Sequence, residues 1–157
     1  MDKHFELTNK FIINAFGVKL FQIKCTRRIK YAEVGDLGGY IEKEDNLSGD
    51  AWVSDNAQVS DNAQVSGDAW VFGNARVFGN ARVSNNNEHC GFDCFGSANR
   101  HTHAYKTQSG KVEITCGCFR GSIEEFEERV EKTHQGNEFE RQYMAIVEVI
   151  KIKFGLK

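Results

Sequence analysis

Between Gly49 and Ser84 the chain repeats Ala-x-Val at a fixed spacing of six residues. The valines are Val53, Val59, Val65, Val71, Val77 and Val83, and Ala51, Ala57, Ala63, Ala69, Ala75 and Ala81 stand two before them. Residues two apart on an extended strand share a face, so each Ala–Val pair points to one interior. The residue between points outward and varies: Trp52, Gln58, Gln64, Trp70, Arg76 and Arg82. Gly, Asp and Asn fill the slots where the chain has to bend. No helix face carries apolar residues at i and i+2 with a period of six. Short strands and corners repeated at constant period predict a solenoid.

Three six-residue sides per turn place residues 18 apart on adjacent coils. Trp52 then stacks on Trp70, Gln58 on Arg76, and Gln64 on Arg82. Asn56 over Asn74 and Asn62 over Asn80 predict short asparagine ladders. The expected fold is mainly β: a short left-handed parallel β-helix of about three coils. Backward, Ile41 and Leu47 keep the valine register, with Gly39 and Asp45 in the alanine slots. Asp45 is too polar for that slot, which predicts a distorted coil there. Forward, Asn87 and His89 fall where Ala and Val belong, so the pattern ends at Ser84. Open strand edges at both ends invite pairing with other chains, so the flanks are expected to cap them.

The chain divides on this reading into a hairpin cap (1–34), the repeat (35–88) and a C-terminal ββαα cap (89–157). Phe11–Ala15 and Lys19–Lys24 read as strands of a hairpin lying across the first coil. "HTHAYKT" and "KVEITC" read as two more strands joined by "QSG". "GSIEEFEERVEKTH" opens a helix with Ser122 and Glu125 as a capping box. Phe139, Tyr143, Ile146, Val147, Ile150 and Phe154 have helical spacing, but the closing "IKIKF" alternates like a strand.

Charge narrows the function. With 20 basic and 22 acidic residues the net charge is −2, which favours neither nucleic acid nor an anionic membrane, and a DNA mimic needs a denser acidic surface. The start carries no secretory pattern, and no run approaches the roughly 18 apolar residues of a membrane span. Five cysteines, an odd number, fit reduced thiols in a cytoplasm.

Three stretches in order carry a resemblance: "GDLGGYIEKEDNLSGDAWV" (Gly35–Val53), the running "GNARV" hexads, and "CGCFRGSIEEF" (Cys116–Phe126). Together they resemble a family of small phage and prophage proteins of hexapeptide-repeat, polymer-forming cytoskeletal-like type. The resemblance spans about Phe5 to Phe154. It implies a phage or prophage gene product in the bacterial cytoplasm, acting as an accessory or anti-defence factor. It implies no agreed activity and no functional residues.

Four functional readings follow from particular residues. Hexapeptide acyltransferases use a histidine general base at a subunit boundary; here no histidine lies in the hexads and no long loop leaves the coils. Zinc would draw on Cys90, Cys94, Cys116 and Cys118 with His89, His101 and His103, but C-x3-C and C-x-C are poor knuckle spacings, and buried thiols explain the cysteines as well. "CGCFRGS" offers an anion-binding loop of Gly117, Arg120, Gly121 and Ser122 at a helix start, or simply a tight turn. Outside the axis, Trp52, Trp70, Phe72 and Phe78, flanked by Arg76 and Arg82, predict an interaction surface. The reading is a non-enzymatic binding or scaffold protein without a cofactor, partnered by a host or phage protein and by itself, as a trimer before a dimer. An acyltransferase-like enzyme and a binder of small anions are the alternatives.

Overall fold

The computed structural model describes residues 3–156. The repeat forms six two-residue strands. With the three-stranded segment before it, the order runs β1 (Phe5–Ile13), β2 (Lys19–Cys25), β3 (Leu37–Ile41), β4 (Trp52–Val53), β5 (Gln58–Val59), β6 (Gln64–Val65), β7 (Trp70–Val71), β8 (Arg76–Val77) and β9 (Arg82–Val83). Pairing is parallel and in register at a separation of 18: Trp52 on Trp70, Gln58 on Arg76, Gln64 on Arg82. This is a β-solenoid. Each coil hydrogen-bonds to the next, as in Trp52 N–H to Ala69 O (3.0 Å) and Gln58 N–H to Ala75 O (2.9 Å).

All six valines and all six alanines of the repeat are buried. Burying one valine stabilises the fold by about 1.5–3 kcal/mol, and the coil repeats that gain on every side. The alanine slot is small because the backbone of the next coil lies against it. Gly39 occupies that slot in the first coil, where a Cβ would stand 2.7 Å from Ala57 O.

The corners differ from the expected asparagine ladders. Asp55 and Asp61 adopt left-handed backbone, with φ of 57° and 60°. Their carboxylates accept the N–H groups of Gly73 (3.0 Å) and Gly79 (3.1 Å) one coil on. Asn56 and Asn62 contribute through the backbone, donating N–H to Gly73 O and Gly79 O. At Asp45 the coil does depart from regularity: a 3-10 turn covers Glu44–Asn46, and buried Asn46 donates to Ala63 O at 2.8 Å.

The N-terminal hairpin does not lie across the first coil. β2 pairs antiparallel with β3, and β3 pairs parallel with β5, so the hairpin continues one coil face edge to edge. Its turn is held by Asn14, whose Oδ1 accepts from Phe16 N–H and Val18 N–H.

After the coil come β10 (His89–Phe95), β11 (Arg100–Lys106), β12 (Val112–Cys116), β13 (Phe119–Ser122), α1 (Ile123–His134) and α2 (Glu138–Lys153). The four strands form one antiparallel sheet in sequence order, so the expected ββαα becomes ββββαα. β10 escaped the sequence reading although Cys90, Phe92 and Cys94 alternate with Gly91 and Asp93, because it holds no β-branched residue, and β13 because "FRGS" is short and contains glycine. The final "IKIKF" is helical up to Lys153, because Ile150 continues the buried stripe of Tyr143, Ile146 and Val147. Among the described residues, no helix is long and apolar enough to cross a membrane.

Two cores result. One runs through the coil and its N-terminal strands, with Tyr105 of β11 closing its far end. The other lies between the sheet and the helices around Ala104, Ile114, Phe126, Tyr143 and Ile150. The sheet also closes the coil's last turn with hydrogen bonds: Gln108 N–H to Asn80 O (2.8 Å) and Thr115 Oγ1 to Arg76 O (2.8 Å).

Candidate functional site

Outward strand positions place Trp52 and Trp70, and the residues just after Val71 and Val77 place Phe72 and Phe78, but the flanks then cover two of the four. Trp52 is only 2% exposed, enclosed by His4 and by Gly38, whose missing Cβ would sit 2.7 Å from the indole. Phe78 is also 2% exposed, edge-to-face with Phe16 of the hairpin turn. Both were expected on an open face. The hairpin reaches them because it extends the sheet beside the coil.

What stays at the surface is a ladder of three rings. Trp70 is half-buried and stacked on Tyr31 at 4.7 Å between centroids, and Phe72 lies tilted against it at 4.5 Å. Trp70 Nε1 donates to Ser54 Oγ at 2.9 Å, which fixes the indole. Phe72, 49% exposed, is the open end. Tyr31 was missed, since it comes from a loop with no periodicity to mark it. Sequence reasoning also missed Val149 and Ile152, exposed on α2.

The arginines beside the coil hold backbone carbonyls. Arg76 Nη1 donates to Gly117 O at 2.9 Å, and Arg82 Nη1 donates to Asn62 O at 2.9 Å. They brace the coil, whereas the expectation gave them to a partner.

The expected anion loop is a strand hairpin with its donors already engaged. Gly117, at φ 59°, makes the turn from β12 to β13. Arg120 pairs with Asp61 of the coil (2.9 Å) and Glu113 of β12 (3.0 Å), so two carboxylates neutralise it. Ser122 Oγ accepts Glu125 N–H, and the Glu125 carboxylate accepts Ser122 N–H. Gly121 lies inside β13, pressed near the Glu125 side chain. An incoming anion would meet carboxylates here.

The cysteines are all free and differ in burial. Cys116 is buried, its Sγ accepting from Thr102 Oγ1 at 3.3 Å, while Cys94 and Cys118 are exposed. Cys90 is half-buried, and burial pushes its thiol up. Among the described residues no three His, Cys, Asp or Glu side chains converge on a point fit for a metal.

The histidines form a line. His101 Nδ1 lies 2.6 Å from Asp93 Oδ1, and His101 Nε2 lies 2.9 Å from His103 Nδ1. His103 Nε2 is 3.0 Å from His89 Nδ1, and His89 Nε2 is 3.2 Å from Asn86 Oδ1. Because His103 uses opposite nitrogens toward its two neighbours, the three rings share no common centre. Burial, with Lys153 nearby, pushes His89 down to about 4; burial and the two flanking rings hold His103 well below the ordinary histidine range.

Residues 57–73 match a family described as the YdcK beta solenoid repeat, in agreement with the parallel coils over that segment. No curated protein and no solved structure matches the chain.

Proposed function

We propose that this chain is a non-enzymatic binding or scaffold protein of phage or prophage origin, working in the bacterial cytoplasm on a left-handed, hexapeptide-type coil. The observation that carries the binding reading is the Tyr31–Trp70–Phe72 ladder, with Phe72 half open to solvent on a rigid flank. Stacked rings on a fixed scaffold lose little entropy on contact and anchor interfaces well. A second copy of the chain, in closed symmetry, is the first occupant of this face, as a trimer before a dimer. A host or phage protein, as for an accessory or anti-defence factor, is the further partner.

Light scattering on the purified protein tests it. The expected mass is a multiple of the chain's. Phe72→Ser with Tyr31→Ser is expected to dissociate the assembly while far-ultraviolet circular dichroism stays unchanged. A monomer at micromolar concentration overturns self-assembly, and an unchanged oligomer in the double variant overturns this face. Trp52 is unsuitable for the experiment, because it is buried.

A further inference from the structure

The line Asp93–His101–His103–His89–Asn86 has four contacts, and each needs one hydrogen between its two heavy atoms. Both ends are acceptors. Asp93 is an exposed carboxylate. Asn86 presents its carbonyl oxygen, whose direction is set because it also accepts Trp70 N–H at 2.8 Å while Nδ2 donates to Tyr31 Oη at 3.2 Å. The two inner contacts are nitrogen to nitrogen. Four hydrogens are required, and three neutral imidazoles carry three.

We infer that this line is a proton-binding site holding one proton more than three neutral rings, placed on His101 as an imidazolium against Asp93. The assignment of every atom then follows. His101 Nδ1–H donates to Asp93, and His101 Nε2–H donates to His103 Nδ1. His103 Nε2–H donates to His89 Nδ1, and His89 Nε2–H donates to Asn86 Oδ1. His89 and His103 stay neutral, in keeping with their burial.

The groups facing the line set the same polarity. Lys153 of α2 is the cation near His89 and Cys90, and it disfavours a second charge at that end. Asp93 of β10 is the anion at the other end, where the His101 side chain is 11% exposed. Trp70 and Asn86 on the coil side and Tyr31 beyond them offer no charge. The ring-to-ring contact also depends on Gly91, paired with His103 across β10 and β11. A Cβ there would stand 2.6 Å from His101 Cε1 and 2.7 Å from both His101 Nε2 and His103 Nδ1. Gly91 has no positive φ, so its glycine serves space, not backbone freedom. The site joins the sheet to the last coil, because Asn86 covers the β7 edge at Trp70. Losing the proton leaves two lone pairs facing each other at one contact and loosens that junction.

Nitrogen-15 correlation spectra of the histidine rings, at about pH 7, test the inference. In the unaltered protein, His101 is expected to carry hydrogen on both nitrogens, and His89 and His103 on Nε2 alone. In Asp93→Asn, the amide can turn its NH2 toward His101 Nδ1, so three hydrogens satisfy the line and His101 is expected to lose one. Asp93 is exposed, so this variant keeps its fold. Three ring hydrogens on the trio in the unaltered protein overturn the site. A doubly protonated His101 surviving in Asp93→Asn overturns it equally.

Discussion

The coil and the C-terminal unit bury their side chains by opposite means. In the coil, twelve Ala and Val positions repeat one packing arrangement, and each strand of two residues finds its partner 18 residues away. In the C-terminal unit, Ile114, Cys116, Phe126, Tyr143 and Ile150 each fill a differently shaped space between a four-stranded sheet and two helices. The coil satisfies its backbone by copying itself, whereas Thr102, His103 and Thr115 each need a particular partner. A repeat distributes its stability evenly but cannot close its own ends. Closure therefore falls to an irregular unit, and the irregular unit is where ionisable chemistry collects.

The largest effect should come from breaking the repeat at its axis. Val65→Asp puts a charge at a fully buried position and is expected to cost about 4 kcal/mol or more, abolishing the folded coil by circular dichroism. Gln64→Glu, next to it and exposed, should stay within about 0.5 kcal/mol. Equal damage from the two would show that the Ala–Val face is not the interior.

Two glycines in the same corner slot separate local strain from stacking between coils. Gly67 and Gly73 have φ of 60° and 65°. A Cβ on Gly67 would lie 2.2 Å from Ser84 O, whereas one on Gly73 meets nothing within 4 Å. Chemical denaturation should give a loss of about 3 kcal/mol for Gly67→Ala and about 1 kcal/mol for Gly73→Ala. Matching losses would mean that backbone strain alone governs the corners.

Acid should act on the C-terminal unit and spare the coil's valines. His89 is lowered from 6.5 to about 4, so the folded form stays neutral where the unfolded chain takes up a proton. Stability present above 6.5 is therefore lost as pH falls from 6.5 toward about 4, on the order of 3 kcal/mol from this ring. His103, lowered in the same direction by burial, adds to the loss. His89→Gln, which keeps one donor and one acceptor, should flatten part of the dependence of Tm on pH. An unchanged acid slope would place the sensitivity elsewhere.

The smallest effect concerns the tie between the two regions. Arg120→Ala removes ion pairs to Asp61 and Glu113 that are partly exposed, with the arginine side chain 41% accessible. Solvent screening limits the expected loss to about 0.5–1 kcal/mol in thermal unfolding. Ile114→Ala, inside the sheet, should cost several times more. If Arg120→Ala costs as much, the junction is held by charge to a degree its exposure does not predict.

Spacing alone determined the coil. Ala at i, Val at i+2 and a period of six leave one way to bury both residues, and parallel register at 18 follows from three equal sides. Asp45 even located the distorted corner, since a carboxylate cannot share the alanine slot with the neighbouring backbone. Side-chain placement outside the axis was legible only in part. Whether Trp52 or Phe78 faces water depends on where His4, Gly38 and Phe16 come to rest, and those lie outside the Ala–Val hexads. Arg76, Arg82 and Arg120 look alike as residues near a surface, yet carbonyls and carboxylates far along the chain engage them. β13 was hidden for the same reason: its pairing energy comes from the neighbouring strand β12 rather than from its own pattern. The histidine line was decided by tertiary structure alone, because only the antiparallel pairing of β10 with β11, together with the space left at Gly91, brings His89, His101 and His103 into one row. Periodic burial is a local, repeated constraint and can be read from the chain; a hydrogen-bonded row of distant side chains exists only once the whole fold has set their distances.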